Sequence, residues 1–172
     1  MIKFIKSDES KIIIEKYPYA NQINKKISDF VKSFGDRQFK LTNVKANMTD
    51  WNIDSPEISI LKRWIMNVFS SEFNLMTERY DFFIADFWGN HYQKGDFTIF
   101  HDHVPATHSF CYFVKCSKNS SPFIFKHSNF KVNAEEGKLV IFPSYLKHYV
   151  PKEKDGDRVT LSGNIFPQIK LS

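Results

Sequence analysis

The chain has 172 residues, 42% of them hydrophobic, and a formal charge of +5, a size that closes a core without disulfide or metal staples. Its basic residues are scattered, with no block of like charge, which argues against a face built to grip a nucleic-acid backbone. No apolar stretch approaches the roughly 18 residues of a membrane span, and Asp8 and Glu9 come too early for the apolar core of a secretory leader.

Residues 1–50 read as polar and mixed, except for a predicted helix over Ala20–Phe34. There Ile23, Ile27, Phe30, Val31 and Phe34 share one face, and Gly35-Asp36 stops the helix. A second helix begins where Asp54 or Ser55 can cap, Pro56 suits the first position and Glu57 complements the positive end. Its apolar stripe is Ile58, Leu61, Ile65, Val68 and Phe69, and it ends near Asn74. Amphipathic helices of this kind cover a sheet rather than perform chemistry.

From Tyr80 the texture changes to short strands, predicted near 81–92, 96–103, 108–116, 122–127, 138–142 and 158–166. Turn signals such as Lys94-Gly95-Asp96, Glu135-Glu136-Gly137 and Lys154-Asp155-Gly156-Asp157 separate them. Eighteen Phe against six Gly favour strands lined with aromatic rings. Many short strands with frequent turns predict a sandwich or jelly roll rather than a parallel sheet. The expected product is a single domain over 1–172, mainly β with N-terminal helices. Residues 1–79 form a helical or mixed part and 80–172 the jelly-roll core.

Cys111 and Cys116 are five residues apart in one strand-like run, roughly 17 Å at about 3.4 Å per residue. A disulfide requires Cα atoms within about 7 Å, so no intrachain bridge is expected unless the chain turns sharply between them. Two free thiols without a signal peptide predict a reducing, cytoplasmic location.

The chemistry concentrates in His101-Asp102-His103, followed by His148 and Arg158. Alternation along a strand points His101 and His103 to one face and Asp102 to the other. A neighbouring antiparallel strand can bring His148 to the same ion, and imidazole binds iron, zinc, copper or nickel well. Arg158, Thr160 and Ser162 share one face of a later strand. A guanidinium grips a carboxylate at two points and a hydroxyl adds a further bond. The order thus describes a metal centre with an anion clamp beside it. His91, His108 and His127 have no such spacing partner and read as structural.

On these residues the chain resembles the Fe(II)/2-oxoglutarate-dependent oxygenase superfamily. The matching stretches are Trp88–Phe97, His101-Asp102-His103, Gly137–His148 and Arg158–Asn164, within residues 85–166. Among its members it is similar to the small oxygenases of phage and marine bacterial genomes, and Tyr92 to Gly95 looks like the lead-in of prolyl-4-hydroxylases. The resemblance implies a double-stranded β-helix, a cupin-like jelly roll, with Fe(II) and 2-oxoglutarate as cofactors. It also implies hydroxylation of a small molecule or protein side chain by O2, with release of succinate and CO2. By position, His101 and His148 match the two ligand histidines of the family, and His103 stands where a carboxylate normally stands. Three-histidine ligation is the expectation, although a strand bulge would present Asp102 instead. The resemblance makes Arg158 the grip on the distal carboxylate of 2-oxoglutarate, assisted by Thr160. Tyr92 and, as a second candidate, Tyr112 would contact the co-substrate, with a place in the core as the alternative for each. Two other readings stay open: a cupin-like three-histidine enzyme that uses no 2-oxoglutarate, either a dioxygenase or a zinc hydrolase, and a non-enzymatic jelly-roll binding module.

Overall fold

The computed structural model describes residues 2–5, 10–36, 42–73 and 79–169, with side chains from residue 10 onward. In chain order these form β1 (Ile2–Ile5), β2 (Ser10–Lys16), α1 (Ala20–Lys32), β3 (Val44–Lys45), β4 (Asn47–Met48), α2 (Pro56–Glu72), β5 (Tyr80–Tyr92), β6 (Phe97–His101), β7 (His108–Lys115), β8 (Phe123–Phe125), β9 (Phe130–Val132), β10 (Lys138–Pro143), β11 (His148–Val150) and β12 (Arg158–Ile169). The strands build two antiparallel sheets, one ordered β1-β2-β10-β7-β12-β5-β4 and the other β3-β6-β11-β8-β9. Two facing antiparallel sheets crossed in this order make a jelly roll, as the strand pattern predicts.

Alternation divides the larger sheet into two faces. On β10, Leu139 and Ile141 join the core beneath the helices, while Val140 and Phe142 join the core between the sheets. On β7, Tyr112 and Val114 face the helices, and Cys111 and Phe113 face the second sheet. The helices complete the outer layer. Ser55 caps α2 by accepting the Ile58 N–H at 3.2 Å, and Ile58, Leu61, Ile65 and Phe69 are fully buried. A Cβ on Gly89 would lie 2.7 Å from a Val31 methyl, so a bare backbone at this point of β5 lets α1 approach the sheet.

The sequence reading of residues 1–50 as polar and mixed misses four strands. β2 pairs with β10, and its Ile12 and Ile13 are wholly buried. Its Ile12-Ile13-Ile14 run shows no alternation, because one side chain enters each core and no period of two appears. β3 joins β6, and β4 joins β5. The first helix ends at Lys32, before Phe34; the predicted end of the second, Asn74, lies outside the described residues. β6 ends at His101 rather than 103, since the His103 N–H leaves the ladder to bond the Ser144 carbonyl at 2.9 Å. Among the described residues no helix is long and apolar enough to cross a membrane.

Candidate metal centre

Neighbouring strands β6 and β11 place His101 directly opposite His148. The turn after β6 then brings in His103. Ring centroids are 4.4 Å apart for His101 and His148, 4.8 Å for His101 and His103, and 5.1 Å for His103 and His148. One ring nitrogen from each residue lies within 4.8 Å of the others. Nδ1 of His101 is 2.7 Å from the Ile99 carbonyl, and Nδ1 of His148 is 2.9 Å from the Leu146 carbonyl. A carbonyl oxygen only accepts, so both Nδ1 atoms carry the proton and both Nε2 lone pairs are free.

Burial disfavours the imidazolium form in all three rings. It lowers His101, takes His103 to about 4 with help from the neighbouring His101, and holds His148 well below the usual histidine range. The group is therefore neutral at pH 7, the state that ligates a metal. Phe123 stacks on His148 at 4.8 Å and Phe142 meets its edge at 4.8 Å, which dries that side. Asp102 stays in its own loop, where its Oδ1 accepts the Val104 N–H at 3.4 Å.

The second half of the site comes from the long β5–β12 ladder. Its register pairs Arg158 with Tyr92, Thr160 with Asn90, Ser162 with Trp88 and Asn164 with Asp86. Tyr92, Thr160, Asn90, Ser162, Trp88 and Arg158 line the same narrow cavity as the three histidines. Arg158 is 1% exposed. Its Nη1 donates to the Ser121 carbonyl at 2.7 Å and lies 3.5 Å from Oε2 of the buried Glu153. The guanidinium also sits 5.1 Å from the ring centres of Tyr92 and Phe113, a cation–π arrangement. The Tyr92 hydroxyl is 2.7 Å from Thr98 Oγ1, and burial pushes its pKa up to about 12. Asn90 Nδ2 donates to Thr160 Oγ1 at 3.3 Å.

Three buried polar atoms around this cavity have no hydrogen-bond partner among the described residues: Arg158 Nε, Asn90 Oδ1 and Trp88 Nε1. Buried polar groups are rarely left unpaired, and their concentration at one cavity marks a place for a polar ligand.

Of the residues singled out from the sequence, His101, His103, His148, Arg158, Thr160 and Tyr92 come together. Tyr112 does not. Its hydroxyl donates to Asn24 Oδ1 at 2.8 Å and its ring lies against Tyr17 and Trp64 beneath the helices. Because Cys111 faces the cavity, its neighbour must face away. Trp88, Asn90, Cys111 and Glu153 were missed. Counting back by twos from Tyr92 reaches the first two, whereas Glu153 sits in a loop with no periodic signal. The other histidines lie apart. His91 is 3.3 Å from Asp157, His108 packs on Phe69 and Phe73, and His127 is exposed beside Phe100. Both cysteines are free.

Several solved structures share this architecture. The viral collagen prolyl hydroxylase of Paramecium bursaria Chlorella virus-1, in its 2-oxoglutarate complex, superposes with a TM-score of 0.71 at 12% identity, over 92% of this chain and 96% of that one. A prolyl-4-hydroxylase from Pseudomonas putida gives 0.69 at 15% identity, over 90% and 91%. HygX from Streptomyces hygroscopicus, with nickel, 2-oxoglutarate and hygromycin B bound, gives 0.66 at 9% identity, over 91% and 83%. The chain thus has the fold of the 2-oxoglutarate/Fe(II) oxygenases. No protein-family model matches the sequence, and no curated protein matches it.

Proposed function

We propose that this chain is a 2-oxoglutarate- and Fe(II)-dependent dioxygenase that hydroxylates a small molecule or a protein side chain, with iron held by His101, His103 and His148. The observation that carries this reading is the meeting of three neutral imidazoles and a buried guanidinium in one cavity of this fold. The donor set suits the metal, because imidazole is a good ligand for Fe(II) and two rings present their Nε2 lone pairs. The far end suits a carboxylate. Arg158 is a buried cation with an unpartnered Nε–H, and a charge-assisted bond there is strong.

Bound iron and 2-oxoglutarate would supply O2 activation coupled to decarboxylation, giving succinate, CO2 and a hydroxylated C–H bond. The residues of the chain have other tasks. Arg158 and Thr160 hold and orient the distal carboxylate. The Ile99 and Leu146 carbonyls fix the rotation of the His101 and His148 rings, as outer partners of metal ligands do. Phe123 and Phe142 exclude water from one side of His148.

Charge supports the assignment. With three neutral histidines, Fe2+, doubly negative 2-oxoglutarate and Arg158 would leave one positive charge in a dry site. The buried Glu153 carboxylate beside Arg158 returns the sum to zero. It stands in for the ligand carboxylate that His103 replaces.

The test adds Fe(II) and 2-oxoglutarate without oxygen and follows the weak visible charge-transfer band of the chelate. The band should form in the wild type and be lost in Arg158→Ala, which keeps its iron. Its absence from folded, iron-loaded wild type overturns the reading. A second reading, a three-histidine metalloenzyme that uses no 2-oxoglutarate, has two observations in its favour. Glu153 already faces Arg158, and the inner cavity encloses about 30 Å³, room for roughly one or two waters. Under that reading Arg158→Ala leaves metal binding and turnover nearly intact.

A further inference from the structure

A second, more open cavity of about 490 Å³ adjoins the centre and shares His101, His103, Trp88 and Val44 with the inner one. Its outer wall carries Trp51, Asp86 and Asn164. Trp51 is 51% exposed and rests edge-on against Trp88 at 4.6 Å. An indole left in solvent at the rim of a cavity is a contact surface rather than core.

Asp86 is held in place from behind. Ser109 Oγ donates to Asn164 Oδ1 at 2.9 Å, which turns the Asn164 amide so that its Nδ2 donates to Asp86 Oδ2 at 3.1 Å. These residues come from three adjacent strands, β7, β12 and β5, at mutually opposed positions. The arrangement occupies one carboxylate oxygen and leaves the other without a hydrogen bond among the described residues. No described lysine, arginine or histidine pairs with Asp86, on a chain with a surplus of positive charge. The inward row of the β5–β12 ladder therefore runs from a buried cation, Arg158, to an oriented carboxylate, Asp86. The six residue steps from Arg158 to Asn164 span roughly 20 Å at about 3.4 Å each.

We propose that this outer cavity takes a cationic group of the primary substrate, a primary amine, with Asp86 as its ion-pair partner and Trp51 as a cation–π wall. The proposal rests on the oxygenase reading of the same site and deepens it. The two ends of the row divide the work: the anionic co-substrate goes to Arg158 and the cationic substrate to Asp86. A carboxylate already aimed by Asn164 loses little freedom when a cation binds, and an indole face adds attraction for the same charge. The ammonium can sit on a free amine or on a lysine side chain in a peptide, since both present the same group.

The test titrates the full-length protein, loaded with Ni(II) and 2-oxoglutarate, by tryptophan fluorescence. One arm uses 1,5-diaminopentane and the other Nα-acetyl-lysine methylamide, each against its neutral N-acetylated counterpart. Cationic probes should quench, the neutral counterparts should not, and Asp86→Asn should weaken the cationic probes about tenfold or more. Trp51→Ala, at an exposed position, should weaken them too, and the tighter arm identifies the source of the amine. Equal binding of neutral and charged probes, unchanged affinity in Asp86→Asn, or no binding of either cation overturns the proposal. Metal and 2-oxoglutarate binding are measured separately by calorimetry. If they fail in the wild type, the oxygenase reading falls; if they hold while the cation arm fails, the substrate class alone falls.

Discussion

Glu153 is the carboxylate set beside the buried Arg158. It is 2% exposed, accepts the Ser121 N–H at 3.2 Å and lies 3.5 Å from Arg158. Removing one partner of a buried pair strands the other, typically at about 3–5 kcal/mol. Glu153→Gln should therefore lower stability by about 3 kcal/mol. It should also leave Arg158 seeking a negative partner. In thermal melts the rise in Tm on adding 2-oxoglutarate should be larger in the variant than in the wild type, and equal rises would remove Glu153 from this role. At this scale the side chains that gather at the cavity were legible and their surroundings were not. Strand alternation predicts His101 and His103 on one face, but β6 stops at His101 and the turn carries His103 to the same place. The turn after β6 is what brings His103 rather than Asp102 beside His101 and His148, and the position of Tyr112 away from the cavity depends on which face of β7 meets the helices.

At the scale of elements, β12 is the spine, pairing with β5 on one side and β7 on the other. Its tolerance for close neighbours is set at Gly163. A Cβ there would lie 2.5 Å from a Phe110 ring atom and 2.6 Å from the Asp86 carbonyl oxygen. Neither can move freely, one being a packed ring and the other backbone. Gly163→Ala should cost about 1–3 kcal/mol by overpacking, read as a lower midpoint in urea with unchanged slope. An unaltered midpoint would mean that the strand shifts at no cost. Strands with strong flanking turns, such as β5, β7, β10 and β12, were readable within a few residues. The short β9 and β11 and the unalternating β2 were not, because their identity as strands lies in the partner they pair with. The helices were readable because caps and a period of 3.6 are local.

Across the whole molecule, burial of neutral imidazole makes stability depend on pH. His108, packed between Phe69 and Phe73, is lowered from 6.5 to about 4 by burial alone, and its Nδ1 has no partner. Between these values the unfolded chain binds more protons than the folded one, so stability rises with pH through the window and is fully present above 6.5. The stability lost on acidification is up to about 3 kcal/mol at 1.36 kcal/mol per unit. His108→Leu should gain on the wild type by that order as pH falls through the window. Parallel wild-type and variant curves of unfolding free energy against pH would refute it. The half-buried His101 and His103 and the buried His148 act with the same sign, so the slope should flatten rather than vanish. A metal held by the three histidines would oppose the loss by stabilising the folded state through mass action.

Neighbours along the chain were enough for two amphipathic helices, the second with its Ser55 cap, a run of strands, two histidines two residues apart, and an arginine in phase with a threonine and a serine. Tertiary structure decided what depends on residues far apart. It brought His148 opposite His101, set Glu153 against Arg158, turned Tyr112 out of the cavity and aimed Asp86 through Asn164 and Ser109. The physical reason is the period of two. A strand declares that its side chains alternate, but which set faces the cavity is fixed by register with partners tens of residues away, and a shift of one residue would exchange the two faces.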